Sequence, residues 1–325
     1  MSTETALPLP DLAAAKAFFA AGDNFLLSSH VNSDGDAIGA CLALKGLWAA
    51  AGKQATIVLQ DNPPDPHYNF LVGWDTLRPV EKKSVDTKAQ YAVVLDCPSL
   101  ERIGDVQQCL DENTHTLNID HHRGNELFGA ANVVTEEVSS SCELVYHLAI
   151  ACDMEIDQDI ATQLYTGILF DTGGFRFSLT RPTTFEAAAD LVRRGVHLDY
   201  IADQLFSNKN LGLVKQLGAA IDSLALHHTD QVAMLHLSRA DLEAGDPDEV
   251  VNQGLMIKGV EVAVLLKEEE PQKYRVSLRS RDRIDVNQIA GHFGGGGHVK
   301  ASGCRLKGYR EEVERQLLDE IGKHL

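Results

Sequence analysis

The sequence predicts an α/β protein: a doubly wound parallel-sheet domain joined by a helical linker to a smaller α/β domain. Three observations carry this. The chain of 325 residues exceeds one comfortable hydrophobic core. Short apolar runs of strand length alternate with helix-period segments through its first part. Late in the chain the charge balance inverts, marking off a region of different character.

The elements follow in order. Residues 24–30 (NFLLSSH) read as a strand and 36–51 as a helix. QATIVL at 54–59, YAVVLD at 91–96 and HTLNID at 115–120 are apolar runs of strand length. Helices are expected over 140–152, 158–169 and 182–194, the last with Pro182 in its first turn and Gly195 at its end. Strands separated by helices imply parallel pairing with right-handed crossovers. Residues 199–224 read as a helical linker. Beyond them come strands at 231–237, 260–268 and 273–280 and a helix at 286–293. The expected division is therefore 1–198, 199–224 and 225–325.

Composition excludes some functions. There are 47 acidic against 29 basic residues, a formal charge of −18. Such a chain should not coat long duplex nucleic acid or an anionic membrane by bulk electrostatics. No apolar run is long enough to span a bilayer. No Lys or Arg precedes Lys16 and no apolar signal core follows, so a cytoplasmic location is expected. The six cysteines include no Cys-x-x-Cys pair, which argues against a structural zinc site and fits reduced thiols.

In doubly wound sheets the ligand site lies outside the carboxyl ends of the strands. The ends here carry metal-type ligands. The first strand gives His30, then Asp34 and Asp36 in HVNSDGDAIG; the third ends on Asp96; the fourth ends on Asp120-His121-His122; and Asp171 follows a helical stretch in GILFDTGGF. Taken singly, Asp34 and Asp36 fit turn and N-cap positions, Asp96 a strand cap and the histidines an exposed pair. Jointly, at successive strand ends, they fit a metal centre. Mixed carboxylate and imidazole donors suit Mn²⁺ or Mg²⁺, and these groups are too many for one ion. Two ions about 3.5–4 Å apart, sharing a carboxylate, would use them and would suit phosphoryl chemistry.

HVNSDGDAIGA, VVLDCPSLERIGD, NIDHHRG and GILFDTGGF resemble the four motifs of the DHH phosphoesterase superfamily, and GGGGHVKASG resembles the signature of its DHHA1 domain. Length and arrangement most resemble the NrnA-type oligoribonucleases, which degrade nano-RNA and dephosphorylate 3′-phosphoadenosine 5′-phosphate (pAp). The resemblance implies two divalent ions, Mn²⁺ first, with Mg²⁺ or Co²⁺ as substitutes. His30, Asp34 and Asp96 would hold one; Asp36, Asp96, His121 and Asp171 would hold the other. Asp96 would bridge, Asp120 would orient His121, and His122 would face the scissile phosphate. Metal-activated hydroxide would then attack phosphorus. Two departures stand out: Ser33 replaces the usual proline and Ala40 a frequent serine, which bears on the local turn and not on a ligand. Ser140 or Ser141 with Glu143 in VSSSCELVYHL reads as a helix cap. Arg176 in GGFRF reads equally as a phosphate contact or as a solvated arginine on a strand.

Residues 271–310 hold nine Lys or Arg and two Asp, a local charge of +7 that leaves −25 for the rest. Four consecutive glycines there would let backbone N–H groups approach a phosphate, although a glycine run is elsewhere a flexible linker. No Gly-x-x-x-x-Gly-Lys-Ser/Thr pattern exists, so this is not a P-loop. By resemblance, Arg279 and His298 would bind the phosphate or terminal nucleotide across the cleft from the metals, with Gly295, Gly296 and Gly297 beside them. Arg281 and Lys300 are weaker candidates, and His227-His228 read as surface. The expected substrates are short single-stranded RNA, dinucleotides and pAp; a homodimer is common in the family. A cyclic-dinucleotide or linear-dinucleotide phosphodiesterase is the alternative of the same class. GGGGHVKASG speaks against a pyrophosphatase, and the chain has no room for the extra modules of a RecJ-like exonuclease. A non-enzymatic nucleotide sensor is disfavoured because every ligand position is filled.

Overall fold

The computed structural model describes residues 8–81, 88–208, 210–244 and 248–325. The chain divides into two compact units, Met1–Asn208 and Lys209–Leu325.

The first unit runs α1 (Leu12–Ala21), β1 (Asn24–Ser28), α2 (Gly35–Ala50), β2 (Gln54–Leu59), β3 (Arg78–Pro79), β4 (Tyr91–Leu95), β5 (His115–Asp120) and β6 (Ala131–Val134). Then come α3 (Ser141–Ala151), α4 (Gln158–Asp171), α5 (Pro182–Arg193) and α6 (Leu198–Ala202). The six strands pair in the order β3-β2-β1-β4-β5-β6, all parallel. Alternate residues explain both faces of the sheet. Phe25, Leu27, Ile57, Leu59, Val93 and Leu95 enter the large core, where α2 packs against α3 and α4. Val58 and Val94 point the other way, against Ile103 and Val106. Those two residues belong to a 3₁₀ stretch, Leu100–Cys109, broken by Gly104. The strand order reverses between β1 and β4, and that switch point is where such sheets bind ligands.

Two short strands escape hydrophobic patterning: β3 has two residues and β6 four. GGFRF is no strand. Gly173 and Gly174 both have positive φ, and Arg176 is exposed in the ensuing turn with its Nε donating to the Gly173 carbonyl. Among the described residues no helix is long and apolar enough to cross a membrane.

The second unit contains α7 (Leu211–Asp222), β7 (Ala225–His227), β8 (Val232–Leu237), α8 (Asn252–Leu255), β9 (Val262–Glu270) and β10 (Lys273–Ser280). After these come α9 (Val286–His292), β11 (Gly296–His298), β12 (Ala301–Lys307) and α10 (Arg310–Gly322). Its sheet has the order β11-β12-β10-β9-β8-β7, with β8 and β9 parallel and the other neighbours antiparallel. One face buries Val264, Val276 and Leu278 against Ile289, Val313 and Leu317 of α9 and α10. The other face buries Leu235, Ala263 and Leu265 against Ala220 and Val251. Helical backbone lies on both sides of the division, with α6 in the first unit and α7 in the second.

Candidate metal centre

β1 ends at Ser28 and delivers His30 into the crevice. The turn that follows is held by a residue that sequence reasoning missed: Asp61 accepts the Asn32 N–H at 2.8 Å and the Ser33 N–H at 2.7 Å. A proline at position 33 has no N–H to give, so serine and Asp61 make one local solution. The Ser33 hydroxyl also donates to the His30 carbonyl at 2.8 Å.

Asp34 serves two ends. It is the N-cap of α2, its Oδ1 accepting from the N–H groups of Asp36 and Ala37. Its Oδ2 lies 3.7 Å from His30 Nε2. Asp36, one residue into the same helix, is fully buried, and both its oxygens are taken up by the N-terminus of α3. Ser141 N–H donates to Oδ2 at 2.6 Å and Cys142 N–H to Oδ1 at 2.8 Å. That helix start is well made. Ser140 is its N-cap and accepts from Glu143 N–H, while buried Glu143 accepts from Ser139 N–H and from the hydroxyls of Ser139 and Thr184. The cap expected from VSSSCE is therefore present, and the buried N–H groups of its first turn do electrostatic service on Asp36. Close approach is secured from α4: a Cβ on Gly167 would lie 2.3 Å from Cys142 Sγ and 2.6 Å from Asp36 Oδ1.

Asp96 occupies the centre. It follows β4 with φ of 54°, a left-handed conformation that Asp and Asn tolerate better than most residues. His30 Nε2 lies 3.3 Å from its Oδ2, and His121 Nε2 lies 3.4 Å from its Oδ1. Ser141 Oγ donates to Oδ1 at 3.2 Å, a contact the sequence did not announce. His121 Nε2 also lies 3.1 Å from Asp171 Oδ2 and 3.9 Å from Asp36 Oδ2. Asp171 is the last residue of α4 and so belongs to the helix it was expected to follow.

One expected relation is corrected. Asp120 does not orient His121; its Oδ1 meets His122 Nδ1 at 2.8 Å and its Oδ2 accepts from Asn125 Nδ2 at 2.6 Å. The reason is the period of extended backbone. Residues 120 and 122 lie on one side, and residue 121 is sent to the other. Asn125 is a further missed residue, tying the Asp120 carboxylate to Asn118. An Asp120→Asn variant replaces one acceptor oxygen by an NH₂ that must face the donor of either His122 or Asn125. Turnover of a phosphoester substrate is expected to fall about 10- to 100-fold with KM within about twofold. Steady-state kinetics checks this, and an unaltered kcat would refute the positioning role.

The electrostatics favour positive charge at this cluster. Burial alone would lower His30, but Asp96 and Asp34 outweigh it and push the imidazole up to about 9. His121 is likewise held well above the ordinary range: burial opposes the proton, and Asp171 and Asp96 overcome it. Asp34 is pushed up to about 7 by desolvation and by Asp96 and Asp171, even though a third of its side chain is exposed. Burial and the same two carboxylates also raise Asp36 well above its usual value. Asp96 goes the other way; burial would raise it, yet the imidazoles of His121 and His30 hold it well below. Burial and mutual repulsion make positive charge favourable among these carboxylates.

Divalent cations fit that need. His30 Nδ1 is spent on the Val31 carbonyl at 2.9 Å, which turns Nε2 toward the carboxylates. His121 Nε2 is buried, and its approach to Asp171 lacks the geometry of a hydrogen bond, so a nitrogen faces the centre unsatisfied. Three sets of donor atoms lie within 4.8 Å of one another: His30 with Asp34 and Asp96, Asp36 with His121 and Asp171, and Asp96 with His121 and His122. Asp96 joins two of these sets. The thiol of Cys142 is close, but burial and Asp36 push it far up, so it is no thiolate ligand. Oxygen and imidazole donors of this kind suit Mn²⁺ or Mg²⁺.

The second unit presents the other expected residues in their own setting. Arg279 lies on β10 and its Nη1 donates to the Leu278 carbonyl. Gly296, Gly297 and His298 form β11; the side chain of His298 lies outside the described residues. Part of the glycine run answers to packing. Gly295 N–H donates to the Ala290 carbonyl, and a Cβ there would lie 2.2 Å from the Gly303 carbonyl oxygen. Gly296 has no such crowding, with Asn287 Oδ1 nearest at 3.7 Å. Arg281 is tied by its guanidinium to the carbonyls of Val260 and Leu255, and Lys300 to that of Asp282. His228 Nε2 meets the Leu318 carbonyl on the surface.

Fold and site together define a class: a doubly wound α/β protein whose switch-point crevice gathers carboxylate and imidazole donors in cation-sized sets. The chain belongs to the DHH family. The model of that family's N-terminal domain matches residues 24–168, and the DHHA1 domain matches residues 229–325. The chain is 33% identical over 301 residues to the bifunctional oligoribonuclease and PAP phosphatase NrnA of Thermus thermophilus, covering 92% of this chain and 89% of that protein. It is 27% identical to the Bacillus subtilis protein of the same name, covering 91% and 93%. Among solved structures, an exopolyphosphatase-related protein from Bacteroides fragilis has a TM-score of 0.91 at 23% identity, covering 99% and 98%. That likeness shows the fold.

Proposed function

We propose that this protein is a metal-dependent phosphoesterase that hydrolyses short oligoribonucleotides to mononucleotides and removes a phosphate from pAp. The observation supporting this most directly is the convergence of cation-sized donor sets at the switch point, one of His30, Asp34 and Asp96 and one of Asp36, His121 and Asp171, with Asp96 Oδ1 3.4 Å from His121 Nε2. The similarity to relatives with both activities narrows the substrate class. His30, Asp34 and Asp96 would hold one cation, and Asp36, Asp96, His121 and Asp171 a second. Such ions, Mn²⁺ foremost, supply Lewis acidity and lower the pKa of water.

The chain's own residues do the rest. Asp96, buried between three imidazoles, keeps its charge and fixes the spacing of the two donor sets. Asp120 holds His122 by Nδ1, so the opposite edge of the ring is the one offered to a phosphate oxygen or a leaving group. Arg279 would bind a non-scissile phosphate, with His298 and the glycines at 295–297 beside it.

The test is a substrate panel with Mn²⁺: pAp, dinucleotides, a five-mer and a 24-mer RNA, cyclic di-AMP and pyrophosphate. Turnover of pAp and the shortest RNAs above the 24-mer is expected. Preference for pyrophosphate or cyclic di-AMP, or no metal-dependent turnover of nucleotides, would overturn the reading.

A further inference from the structure

Arg279 stands at one end of a groove of about 470 Å³ that lies wholly within the second unit, on the uncovered part of its sheet. Strand register defines the floor. Ser277 of β10 pairs with Gly303 of β12, which pairs with Gly296 of β11, so three small residues lie side by side. No side chain longer than a hydroxymethyl rises there.

The far end carries charge. Arg275 and Arg305 are direct register partners on the same face as Arg279 and Ala301. Between them is Glu269, whose Oε1 lies 2.9 Å from Arg275 Nε and whose Oε2 lies 3.6 Å from Arg305 Nε. A β-bulge puts Glu269 there. Lys273 pairs with Glu270 but Tyr274 with Glu268, which leaves Glu269 as the extra residue. Both guanidiniums stand at the mouth of the groove, with Arg305 76% exposed.

We propose that Arg275 and Arg305 form a second phosphate subsite that selects oligonucleotides over mononucleotide bisphosphates. The inference rests on the reading above, in which Arg279 takes a phosphate of the substrate. Arg275 lies four positions before Arg279, about 13 Å along a strand. The two phosphates of pAp hang from one ribose and cannot span that distance. A chain of several nucleotides can, and its phosphate then meets a pair of guanidiniums suited to bidentate recognition. Glu269 keeps the pair spread and blunts its pull, so that products of one or two nucleotides leave.

The experiment uses the full chain with Arg275→Ala/Arg305→Ala, alongside the charge-keeping Arg275→Lys/Arg305→Lys. For the alanine pair, KM for a five-mer RNA is expected to rise about tenfold with kcat within twofold. KM for pAp should stay within twofold, and the salt slope of the five-mer KM should fall by about 0.7 for each phosphate that is no longer neutralised. The lysine pair should restore only part of the affinity, because an ammonium keeps the charge but not the bidentate fork, and Glu269→Gln should lower the five-mer KM. Anisotropy of a labelled five-mer in EDTA reads the same subsite without turnover. An unchanged five-mer KM, or equal losses on pAp and RNA, would overturn the subsite. A wild type that binds the five-mer through these arginines yet hydrolyses neither substrate would overturn the functional reading alone.

Discussion

Asp96→Asn is expected to lower turnover of pAp and of a five-mer RNA by on the order of 10³-fold or more, the several kcal/mol that a bound cation contributes to a transition state. Asparagine is the informative choice because it accepts the left-handed backbone at φ 54° and nearly preserves volume. It removes the charge and turns one acceptor oxygen into an NH₂. His30, His121 and His122 all approach this carboxylate within 3.5 Å, so its loss leaves three imidazoles without their common counter-charge. Because Asp96 belongs to the donor set of His30 and Asp34 and lies 3.4 Å from His121 of the set with Asp36 and Asp171, both cation positions should weaken together. Calorimetric titration with Mn²⁺ should show loss of tight binding at both, not a drop from two ions to one. Residual activity above a tenth of wild type, or an intact binding stoichiometry, would refute the shared role.

Why that residue could be picked out in advance, while others could not, follows from where information lies along the chain. Strands buried on both faces write themselves as continuous apolar runs, and β1, β2, β4 and β5 were legible for that reason. β11 is made of Gly296, Gly297 and His298, and no hydrophobic pattern can announce it. The candidate ligands were legible because a strand end is a local feature and a carboxylate or imidazole placed there has few other uses. Their supports were not. The N–H groups of Ser141 and Cys142 reach Asp36 across more than a hundred residues, and Asp61 reaches Ser33 across 28. Such contacts are products of packing, which a linear pattern does not encode. The pairing of Asp120 with His122 lay within reach, since alternation of side chains already separates position 121 from both neighbours.

Removing the cations should make stability fall as pH rises, and restoring them should reverse the trend. In the metal-free fold His30 is pushed up to about 9 and Asp34 to about 7, while Asp36 and His121 are also raised. The unfolded chain would release these protons near pH 4 for the carboxyls and 6.5 for the imidazoles. Between about pH 4 and 9 the fold therefore holds more protons than the unfolded chain, and linkage makes it less stable with every step upward. Asp96, held low, contributes in the opposite sense only below the ordinary carboxyl range, so it does not cancel the trend. Exposure of a third of the Asp34 side chain reduces its share. Cations displace those protons, so Mn²⁺ affinity should climb over the same window with protons released on binding. At a thousand times Kd, each bound ion adds about 4 kcal/mol. The expected result is a Tm in EDTA that declines from pH 6 to pH 9, beside a Tm in Mn²⁺ that is higher throughout, the gap widening with pH. A Tm in EDTA that is flat or rising, with no added stability from Mn²⁺, would mean that the cluster is not a cation site.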